Sequence, residues 1–484
     1  MASLEVIIIG GGLAGSCLAN GLVNKSDGLV RVTVFEREEA GSERGGYQIR
    51  LGSHALTGFK ACLTDEQYSS LLPLFGRSGG VVSSAPCVFR PTDLRILLDL
   101  SRAPLYEKSA PIGRAVLRDF LQAPLQKQDV IRYGKKFVTY EHLEGDVNQQ
   151  DRIRVHFSDR SQQDCDILIS AEGSASRINK QIGLDNIIED SVPGRGGYLG
   201  KCNLPSSVLD TFPHQIIEKG TIYTGNSKAM VFAAIYLPEK QSRSGGTDQS
   251  KAKGQEHDPL LRNDFSYDEK QASLFFAVGW TNGPSASECV AVADKKSLIR
   301  RKLQEAGFHS SFNTMVDALD DDALVTTPWR YAKDDTTTDW RQNLLTTHTR
   351  DAKSDSAIAN PHVWLIGDSI HPMLPSRGMG ANNAIHDTAD ALGPLLKLAR
   401  LKRDRGSLCV DDVKAQLLEY ESVMMPRAFA WVKKSQNQQL PDLESFKGKM
   451  MVLGLQFTLF AVGAFMEVLR FFGWEPKDDA PDLA

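Results

Sequence analysis

The chain has 484 residues, of which 41% are hydrophobic and 24% are charged, and its formal net charge is −4. This length is too great for one compact core, and the ordinary composition excludes a mainly disordered, collagen-like or multi-span membrane protein. Because the sequence has neither a basic excess nor a lysine- and arginine-rich tract, we expect no nucleic-acid partner.

The cysteines and histidines do not form the pattern of a metal site or of a disulfide framework. The seven cysteines lie at least 25 residues apart, and none of the ten histidines has the spacing of an HExxH motif. We therefore expect no metal ion and thiols that stay reduced in the cytoplasm. The first residues, MASLEVIIIGGG, have no basic segment before the apolar run and do not resemble a secretory signal.

The first elements in chain order are predicted to form a βαβ unit. Residues 5–10 are apolar and β-branched, as in a strand buried on both faces, and residues 30–36 predict a second strand. Between them, the segment LAGSCLANGLVNK predicts a helix. The turn before this helix has a GxGxxG pattern and Glu36 ends the second strand, which together predict a dinucleotide site.

The residues of this turn have distinct expected roles. Gly10 allows the tight turn, Gly12 lets the backbone approach a pyrophosphate, and Gly15 permits close packing of the helix on the strand. The Glu36 carboxylate can accept hydrogen bonds from ribose hydroxyls, which favours FAD or NAD over NADP. The turn alone does not distinguish FAD from NAD.

The middle of the chain predicts a helix at 114–127 and a second, mostly antiparallel sheet. Strands are predicted at 153–157 and 166–170, and three further extended runs, at 221–224, 229–237 and 273–280, are predicted to form this sheet. The polar stretch 240–259 is predicted to be a flexible surface insertion. Another buried strand is predicted at 363–367, followed by helices at about 382–402 and 411–435.

A second glycine-rich segment, VWLIGDSIHPMLPSRGMGANNAIHDTADAL at 363–392, favours FAD. Asp368 can hold a ribityl or ribose hydroxyl, and Gly378 and Gly380 leave room for a flat ring system against the backbone. The helix that begins near Asn382 directs its positive end at that ring, where it would stabilise an anionic reduced flavin.

With these motifs, the chain resembles the single-component, group A flavoprotein monooxygenases of the para-hydroxybenzoate hydroxylase type. The motifs GGGLAGS and IGDSIHPMLPSRGMGANNAIHD are similar to the family's dinucleotide fingerprint and GD motif, and IGRAVLRDFL to its Arg-x-x-Leu helix. The segment DILISAEGSASRIN lies where the family has its DG motif, but Glu172 replaces the usual aspartate and Asn179 the usual closing arginine. In the family this segment is associated with both FAD and NAD(P)H. The two departures therefore concern the expected binding of NAD(P)H and not that of FAD.

The resemblance implies an α/β fold: a Rossmann-type FAD-binding domain interleaved with a mostly antiparallel β-sheet substrate domain, plus C-terminal helices. The FAD-binding parts would be 1–75, 111–190 and 346–435, and the substrate domain 76–110 and 191–345, before a tail at 436–484. The predicted FAD-contacting residues are Gly10, Gly12, Leu13, Ala14, Gly15, Glu36, Arg37, Gln48, Arg114, Asp368, Pro372, Gly378, Gly380, Ala381 and Asn382.

The predicted substrate pocket draws on aromatic residues of the second sheet, namely Tyr223, Tyr236, Phe276 and Trp280, although aromatic residues in strands are more often simple core. Arg50 and His54 are the candidate catalytic residues, which would orient a phenol or a carboxylate. For each of them, the alternative is a buried structural role.

The resemblance implies that NADPH or NADH transiently reduces FAD and that O₂ then forms a flavin C4a-hydroperoxide. One oxygen atom would be inserted into an aromatic or polycyclic small molecule, by hydroxylation or epoxidation, in secondary metabolism. The alternatives are an FAD-dependent dehydrogenase or reductase, and a non-catalytic FAD-bound protein attached to a membrane. A flavin halogenase is disfavoured because no WxWxIP motif occurs.

The C-terminal residues 449–474 form an apolar segment with two interpretations. From Met450 to Met466 the chain has 17 residues without a charge, which is at the lower limit for a spanning helix. The segment is either a helix that packs on the core or on a second subunit, or a helix at a membrane surface. The second interpretation would give a cytoplasmic protein with membrane contact.

Overall fold

The computed structural model describes residues 2–42, 48–76, 86–100, 110–145, 150–189, 193–238, 267–270, 272–326, 329–348, 357–436 and 445–474. The predicted insertion at 240–259 lies outside them. The strands are β1 (Leu4–Ile9), β2 (Val30–Phe35), β3 (Gln48–Leu51), β4 (Cys87–Phe89), β5 (Ile96–Asp99), β6 (Ala110–Gly113), β7 (Ile131–Arg132), β8 (Phe137–Leu143), β9 (Arg152–Phe157), β10 (Gln162–Cys165), β11 (Ile167–Ser170), β12 (Ile187–Glu189), β13 (Gly196–Asn203), β14 (Thr221–Gly225), β15 (Ala229–Tyr236), β16 (Ser273–Trp280), β17 (Arg330–Ala332) and β18 (Val363–Leu365).

The helices cover the faces of these sheets and form the C-terminal part of the chain. They are α1 (Leu13–Lys25), α2 (Ser53–Cys62), α3 (Asp65–Leu71), α4 (Arg114–Lys127), α5 (Arg177–Gln181), α6 (Ser206–Leu209), α7 (His214–Lys219), α8 (Ala286–Cys289), α9 (Lys295–Glu305), α10 (Phe312–Ala318), α11 (Trp340–His348), α12 (Gly380–Arg405), α13 (Val410–Gln436) and α14 (Phe446–Phe471).

A five-stranded parallel sheet has the order β18-β11-β1-β2-β7. Its central strand β1 is apolar nearly throughout, because helices cover both faces of a parallel sheet and leave no polar side. The predicted βαβ unit is confirmed as β1, α1 and β2. Strand β18 lies beside β11, so the sheet combines strands from the beginning, middle and end of the chain.

A six-stranded sheet has the order β13-β16-β15-β14-β4-β5. All its pairings are antiparallel except that of β14 with β4, which confirms the predicted mostly antiparallel sheet. Alternate residues of β14, β15 and β16 are buried in one core with α9 and α10. The other face of the sheet meets the first part of the chain, where the Tyr236 hydroxyl is 3.4 Å from the Leu74 carbonyl oxygen.

Two large hydrophobic cores follow the two main sheets. The first includes buried residues of β1, β2, β11, β18, α1, α4, α12 and α13, and the second includes those of β4, β13–β16, α9 and α10. The mixed α/β architecture with C-terminal helices agrees with the predicted fold class. The domain boundaries given above stay a prediction.

Helices α12 and α13 are longer than the sequence pattern indicated. Helix α12 begins at Gly380 and packs on α1, α2 and α13. Helix α14 is 26 residues long, with a mean hydropathy of 1.8 over its most apolar window, which is long and apolar enough to cross a membrane by length and composition. One side of α14 contacts β5, and most of its other residues are exposed.

Candidate functional site

The turn between β1 and α1 brings the backbone into very close contacts that only glycine allows. Gly10 has a φ of +109°, and a Cβ atom there would lie 2.3 Å from the Ala171 carbonyl oxygen. A Cβ atom at Gly15 would lie 2.1 Å from the Gly10 carbonyl oxygen. A Cβ atom at Gly12 would have no neighbour within 4 Å, so the N-terminus of α1 borders open space. Leu13 and Ala14, in contrast, are buried.

Glu36 lies beside this turn, as its position at the end of β2 predicts. Its Oε2 accepts a hydrogen bond of 2.8 Å from the Gly11 N–H, and its Oε1 accepts one of 3.0 Å from the Glu38 N–H. These bonds fix the carboxylate, and each oxygen retains acceptor capacity for a ribose hydroxyl. Arg37 is exposed and forms an ion pair with Glu38 at 3.3 Å.

The GD segment follows β18 and turns sharply at Gly367, whose φ is +59°. The Asp387 carboxylate accepts a hydrogen bond of 2.6 Å from the Gly367 N–H and thereby holds the turn. Burial raises the pKa of the Asp368 carboxyl above its usual range, although the charges of His371 and Arg114 oppose this rise. Among the described residues, none donates a hydrogen bond to this carboxylate. The Asp368 carboxylate is therefore able to accept a hydrogen bond from a hydroxyl group of a ligand.

The remainder of the GD segment leads into α12. The Pro372 carbonyl oxygen accepts a hydrogen bond of 2.8 Å from the Ala332 N–H, which ties the loop to β17. Gly378 ends a short 3₁₀ turn with a φ of +62°. A Cβ atom at Gly380 would lie 3.9 Å from the Asp368 Oδ1, so Asp368 borders the N-terminus of α12. Gly380 and Ala381 form the first turn of that helix, where free N–H groups attract negative charge.

Gln48 lies in β3, and Arg114 directly follows β6, the strand with which β3 pairs. Gln48 lies opposite Gly113 in the β3–β6 pair, and Arg114 follows directly at the start of α4. Gln48 is 6% exposed, and neither atom of its amide has a hydrogen-bond partner within the described ranges. A buried amide without partners is unfavourable in the free protein. This group therefore fits a polar ligand better than a purely structural role.

Asn382 is committed to the protein backbone. Its Oδ1 accepts a hydrogen bond of 2.8 Å from the Gly52 N–H, and its Nδ2 donates to the carbonyl oxygens of Arg50 and Gly378 at 2.8 and 3.1 Å. Asn382 therefore joins the turn between β3 and α2 to the first turn of α12. Its contribution is to position the segments on both sides of the candidate cleft.

The two candidate catalytic residues point to different neighbours. The Arg50 guanidinium donates a hydrogen bond to the Thr221 hydroxyl of β14, and burial lowers the pKa of Arg50 to about 9. The Nδ1 atoms of His54 and His386 are 2.9 Å apart. Burial, and then the charge of Arg427, lower the pKa of His54. Arg50 thus lies where the β3–β6 pair contacts the six-stranded sheet, whereas His54 packs on α12.

The chain is similar in sequence and in structure to FAD-dependent monooxygenases. No family model matches the chain. The dual O-methyltransferase/FAD-dependent monooxygenase elcB of Phaeosphaeria nodorum is 24% identical over 461 residues, which are 89% of this chain and 45% of elcB. The chain thus spans about half the length of this relative.

Two solved structures cover nearly the whole fold. One is from Photorhabdus luminescens and is described as an FAD-containing monooxygenase, with a TM-score of 0.61, 22% identity, and coverage of 90% of this chain and 96% of that one. The other is Klebsiella pneumoniae HpxO, in complex with FAD and uric acid, with a TM-score of 0.61, 14% identity, and coverage of 95% and 96%. The chain has the fold of an FAD-dependent monooxygenase.

In this monooxygenase fold, the predicted pocket residues separate onto two faces of the six-stranded sheet. Tyr223 and Tyr236 lie on the face toward the first core, with Phe232 paired opposite Tyr223. Phe276 and Trp280 lie on the other face, are 0% and 3% exposed, and belong to the second core. The expectation that these two residues line the pocket is thus corrected. The aromatic pattern identified the strands, but side-chain direction alternates along a strand and depends on the register.

Phe232 and Phe275 are the aromatic residues that the sequence reasoning missed on the site-facing side of the sheet. Their ring centroids are 6.2 Å apart in an edge-to-face arrangement. Phe275 neighbours Phe276 in the sequence and lies on the opposite face of β16. The available signal was the alternation itself, which assigns Phe275 and Phe276 to different faces but does not say which face borders the site.

The two departures from the DG motif have structural roles in this monooxygenase fold. The Glu172 Oε2 accepts hydrogen bonds from the Ser176 hydroxyl at 2.7 Å and the Ile178 N–H at 3.1 Å. Asn179 is fully buried and its Nδ2 donates to the Ser369 carbonyl oxygen at 2.8 Å. Glu172 therefore stabilises the start of α5, and Asn179 connects the DG-like segment to the GD loop.

A buried polar network behind the GD loop was not predicted. The His371 Nε2 is 2.7 Å from the Asp387 Oδ2, and the Arg427 Nη2 is 2.6 Å from the Asp387 Oδ1 and 2.7 Å from the Asp390 Oδ2. Burial would raise the pKa of Asp387, but His371 and Arg427 lower it below its usual range. Asp387 and Arg427 are 40 residues apart, so their spacing in the sequence gave no signal of this contact.

Proposed function

We propose that the protein is an FAD-dependent monooxygenase that uses NADPH or NADH and O₂ to insert one oxygen atom into an aromatic or polycyclic small molecule. The observation that carries this proposal is the meeting of the GxGxxG turn and the GD loop at one edge of the parallel sheet. The strand order β18-β11-β1 brings the two segments together, and each contains a glycine, Gly12 or Gly378, whose Cβ position would have no neighbour within 4 Å. FAD is the cofactor whose two ends these segments match.

The side chains at this edge support the fit of FAD. Gln48 has an unpartnered buried amide, and the Asp368 carboxylate receives no hydrogen bond from any described residue. We propose that the Glu36 carboxylate accepts hydrogen bonds from the ribose hydroxyls of the adenosine half of FAD. The Asp368 carboxylate would accept a hydrogen bond from a hydroxyl of the ribityl half. Gln48 and Arg114 would contact the cofactor from the β3–β6 side.

The first turn of α12 would lie against the isoalloxazine ring. Its N–H groups at Gly380 and Ala381 favour negative charge there, which assists the anionic reduced state. When bound, FAD would accept a hydride from NAD(P)H and would then react with O₂. This chain's own residues hold the ring, exclude water from it and orient the substrate.

We propose that Tyr223, Phe232 and Phe275 provide an apolar surface for a flat substrate, and that Arg50 orients a phenol, a carboxylate or a similar oxygen. HpxO binds uric acid in its solved complex, and a protein of comparable fold, PqsL, binds 2-aminobenzoylacetate. Flat, conjugated molecules of this kind are therefore the substrate class proposed for this chain, with hydroxylation or epoxidation as the outcome. We place the enzyme in secondary metabolism and in the cytoplasm, with residues 449–474 at a membrane surface.

The test is to purify the full chain and to follow its flavin and its oxygen consumption. We expect the absorbance of bound FAD, bleaching by NADPH or NADH without oxygen, and transfer of ¹⁸O from ¹⁸O₂ into one member of a panel of aromatic and polyketide substrates. Reduction and reoxidation without labelled product across the panel would favour a dehydrogenase or reductase. Bound FAD that neither nicotinamide cofactor bleaches would favour a non-catalytic flavoprotein.

A further inference from the structure

Within the described residues, the outer side of α14 has the largest group of exposed large apolar side chains. Exposed side chains include Phe457 at 72%, Phe460 at 75% and Phe471 at 86%. At about 100° per residue, the large apolar side chains of α14 that are more than half exposed cover an arc of about 140°. They are Phe446, Met450, Leu453, Phe457, Phe460, Phe465, Val468 and Phe471. Isolated exposed apolar residues are ordinary, but a continuous surface of this kind indicates a binding surface.

The opposite side of α14 is attached to the edge of the six-stranded sheet. Val452 forms a small buried cluster with Leu98 of β5. Midway along the helix, the Gln456 Nε2 donates a hydrogen bond of 2.7 Å to the Leu97 carbonyl oxygen. The first half of the helix is therefore held on the edge of the sheet, and most of the apolar surface of α14 faces outward.

The composition of this surface favours lipid over a second helix. A pair of helices buries a narrow seam that charged residues flank and align. In α14, no residue from Met450 to Met466 is charged, so nothing would set the register of a partner helix. The charged residues lie at the ends, where Lys447 and Lys449 precede the apolar segment and the ion pair between Glu467 and Arg470 follows it. An apolar, phenylalanine-rich face with lysines at one end is typical of helices at a membrane interface.

The attachment to β5 also decides the orientation. The uncharged segment is about 25 Å long, shorter than the hydrocarbon core of about 30 Å. A spanning orientation would carry β5 into the hydrocarbon, together with the ion pair between Asp99 and Lys219 at 3.3 Å. Buried charges of this kind are costly in a bilayer. A helix in the plane of the interface immerses only its outer face.

We propose that the outer face of α14 binds a lipid bilayer surface, with the helix parallel to the membrane and edge strand β5 held against it. This inference rests on the proposed function, which already includes a membrane contact. It adds the residues that make this contact and the orientation of the helix. It does not depend on the reaction, because lipid binding is measured without turnover. Apolar burial supplies most of the affinity, and Lys447 and Lys449 add a preference for anionic lipid.

The experiment is flotation of the purified, flavin-loaded full chain with vesicles of phosphatidylcholine, with and without phosphatidylserine. We expect the unmodified protein to float with both and more completely with phosphatidylserine. The double variant Phe457→Asp/Phe460→Asp should bind at least tenfold less. The matched control is Leu418→Asp/Val423→Asp, which removes two exposed apolar side chains from α13 and should float like the unmodified protein. Retained flavin absorbance shows that each variant is folded.

Three outcomes would overturn the proposal. These are an unmodified protein that does not float, a double variant that floats as well as the unmodified protein, and a soluble dimer that only the double variant dissociates. The last would assign the face to a second copy of the chain. The orientation of α14 is tested with the Phe457→Trp variant, by measuring how strongly brominated lipids quench its tryptophan fluorescence. Quenching strongest with bromine near the headgroups supports the in-plane helix, and quenching strongest at the bilayer centre contradicts it.

Discussion

At the scale of single residues, Gly12 and Gly15 of the first turn should respond differently to a methyl group. Gly12 has a φ of −69° and open space around its Cβ position, so Gly12→Ala should leave the stability of the free protein nearly unchanged. If FAD binds here, the methyl group meets the pyrophosphate, and we expect the affinity for FAD to fall at least tenfold. Equilibrium dialysis with FAD and thermal unfolding of the apoprotein measure the two effects separately.

Gly15→Ala is the matched change, because its Cβ atom would lie 2.1 Å from the Gly10 carbonyl oxygen. Such overpacking costs about 1–3 kcal/mol, so the apoprotein itself should be destabilised. Equal loss of stability in both variants would contradict the assignment of open ligand space at Gly12.

Gln48 is a residue at which stability and cofactor binding should oppose each other. Replacing its unpartnered amide by the similar-sized apolar chain in Gln48→Met should stabilise the apoprotein by about 1 kcal/mol. The same change should weaken FAD binding, because the ligand loses a polar contact. Urea unfolding of the apoprotein and titration with FAD check the two results.

Gln122 is the control for this prediction. It is equally buried, but its Nε2 donates to the Gly11 carbonyl oxygen at 2.5 Å and its Oε1 accepts from the Tyr133 hydroxyl at 2.8 Å. Gln122→Met should therefore destabilise the apoprotein by about 1–3 kcal/mol. If Gln48→Met destabilises it just as much, the Gln48 amide has a partner in solution and the argument for a ligand contact fails.

At the scale of elements, the contact between α12 and α13 contains a buried and an exposed ion pair. Arg427→Met leaves Asp387 and Asp390 without their shared cation, and we expect a loss of about 3 kcal/mol. This value is at the lower end of the range because His371 still contacts Asp387. The exposed Lys397–Glu419 pair joins the same helices, so Lys397→Met should cost less than about 1 kcal/mol. Urea unfolding distinguishes the two, and equal losses would contradict the difference in burial.

The contact between α2 and α12 predicts a pH dependence of stability. Burial and the charge of Arg427 lower the pKa values of both His54 and His386, with Asp390 opposing the shift of His386. An unfolded histidine has a pKa of about 6.5. Below that pH the unfolded chain binds more protons than the folded chain, so stability is lost as pH falls from about 6.5 through the lowered folded values.

The measurement is the melting temperature of the apoprotein between pH 7 and pH 5. The double variant His54→Gln/His386→Gln should show a shallower decrease than the unmodified protein. His214→Gln, at an exposed histidine, is the control and should leave the decrease unchanged. An unaltered decrease in the double variant would mean that other groups cause it.

At the scale of the whole molecule, the sequence was most informative where one local rule determined the structure. The apolar run before the glycines predicted β1, α1 and β2 nearly to the residue, because both the buried strand and the helix turn have strong local patterns. Helices α9 and α10 were missed. Helix α9, KKSLIRRKLQE, has mostly charged residues, and its three buried residues become apparent only when it packs behind the sheet.

Contacts between distant segments could not be predicted in the same way. Which face of β16 borders the site depends on its pairing with β13 and β15, so Phe276 and Trp280 were placed in the pocket and Phe275 was overlooked. The contact of Arg427 with Asp387 likewise requires α13 to pack on α12. The residues of the glycine motifs were identified because their backbone requirements are local.

The position of β18 beside β11 has a consequence for the synthesis of the protein. Until Val363 has left the ribosome, β11 has no neighbour on one side, although its residues Ile167, Leu168 and Ile169 are all fully buried in the finished fold. At roughly 5–20 residues per second, the stretch from Ser170 to Val363 takes on the order of 10–40 s to translate. During that interval the nascent chain exposes an apolar strand edge of the kind that chaperones cover. If FAD binds between the two glycine-rich segments, it cannot bind before residues 363–392 have been synthesised, because these residues form one side of the proposed site.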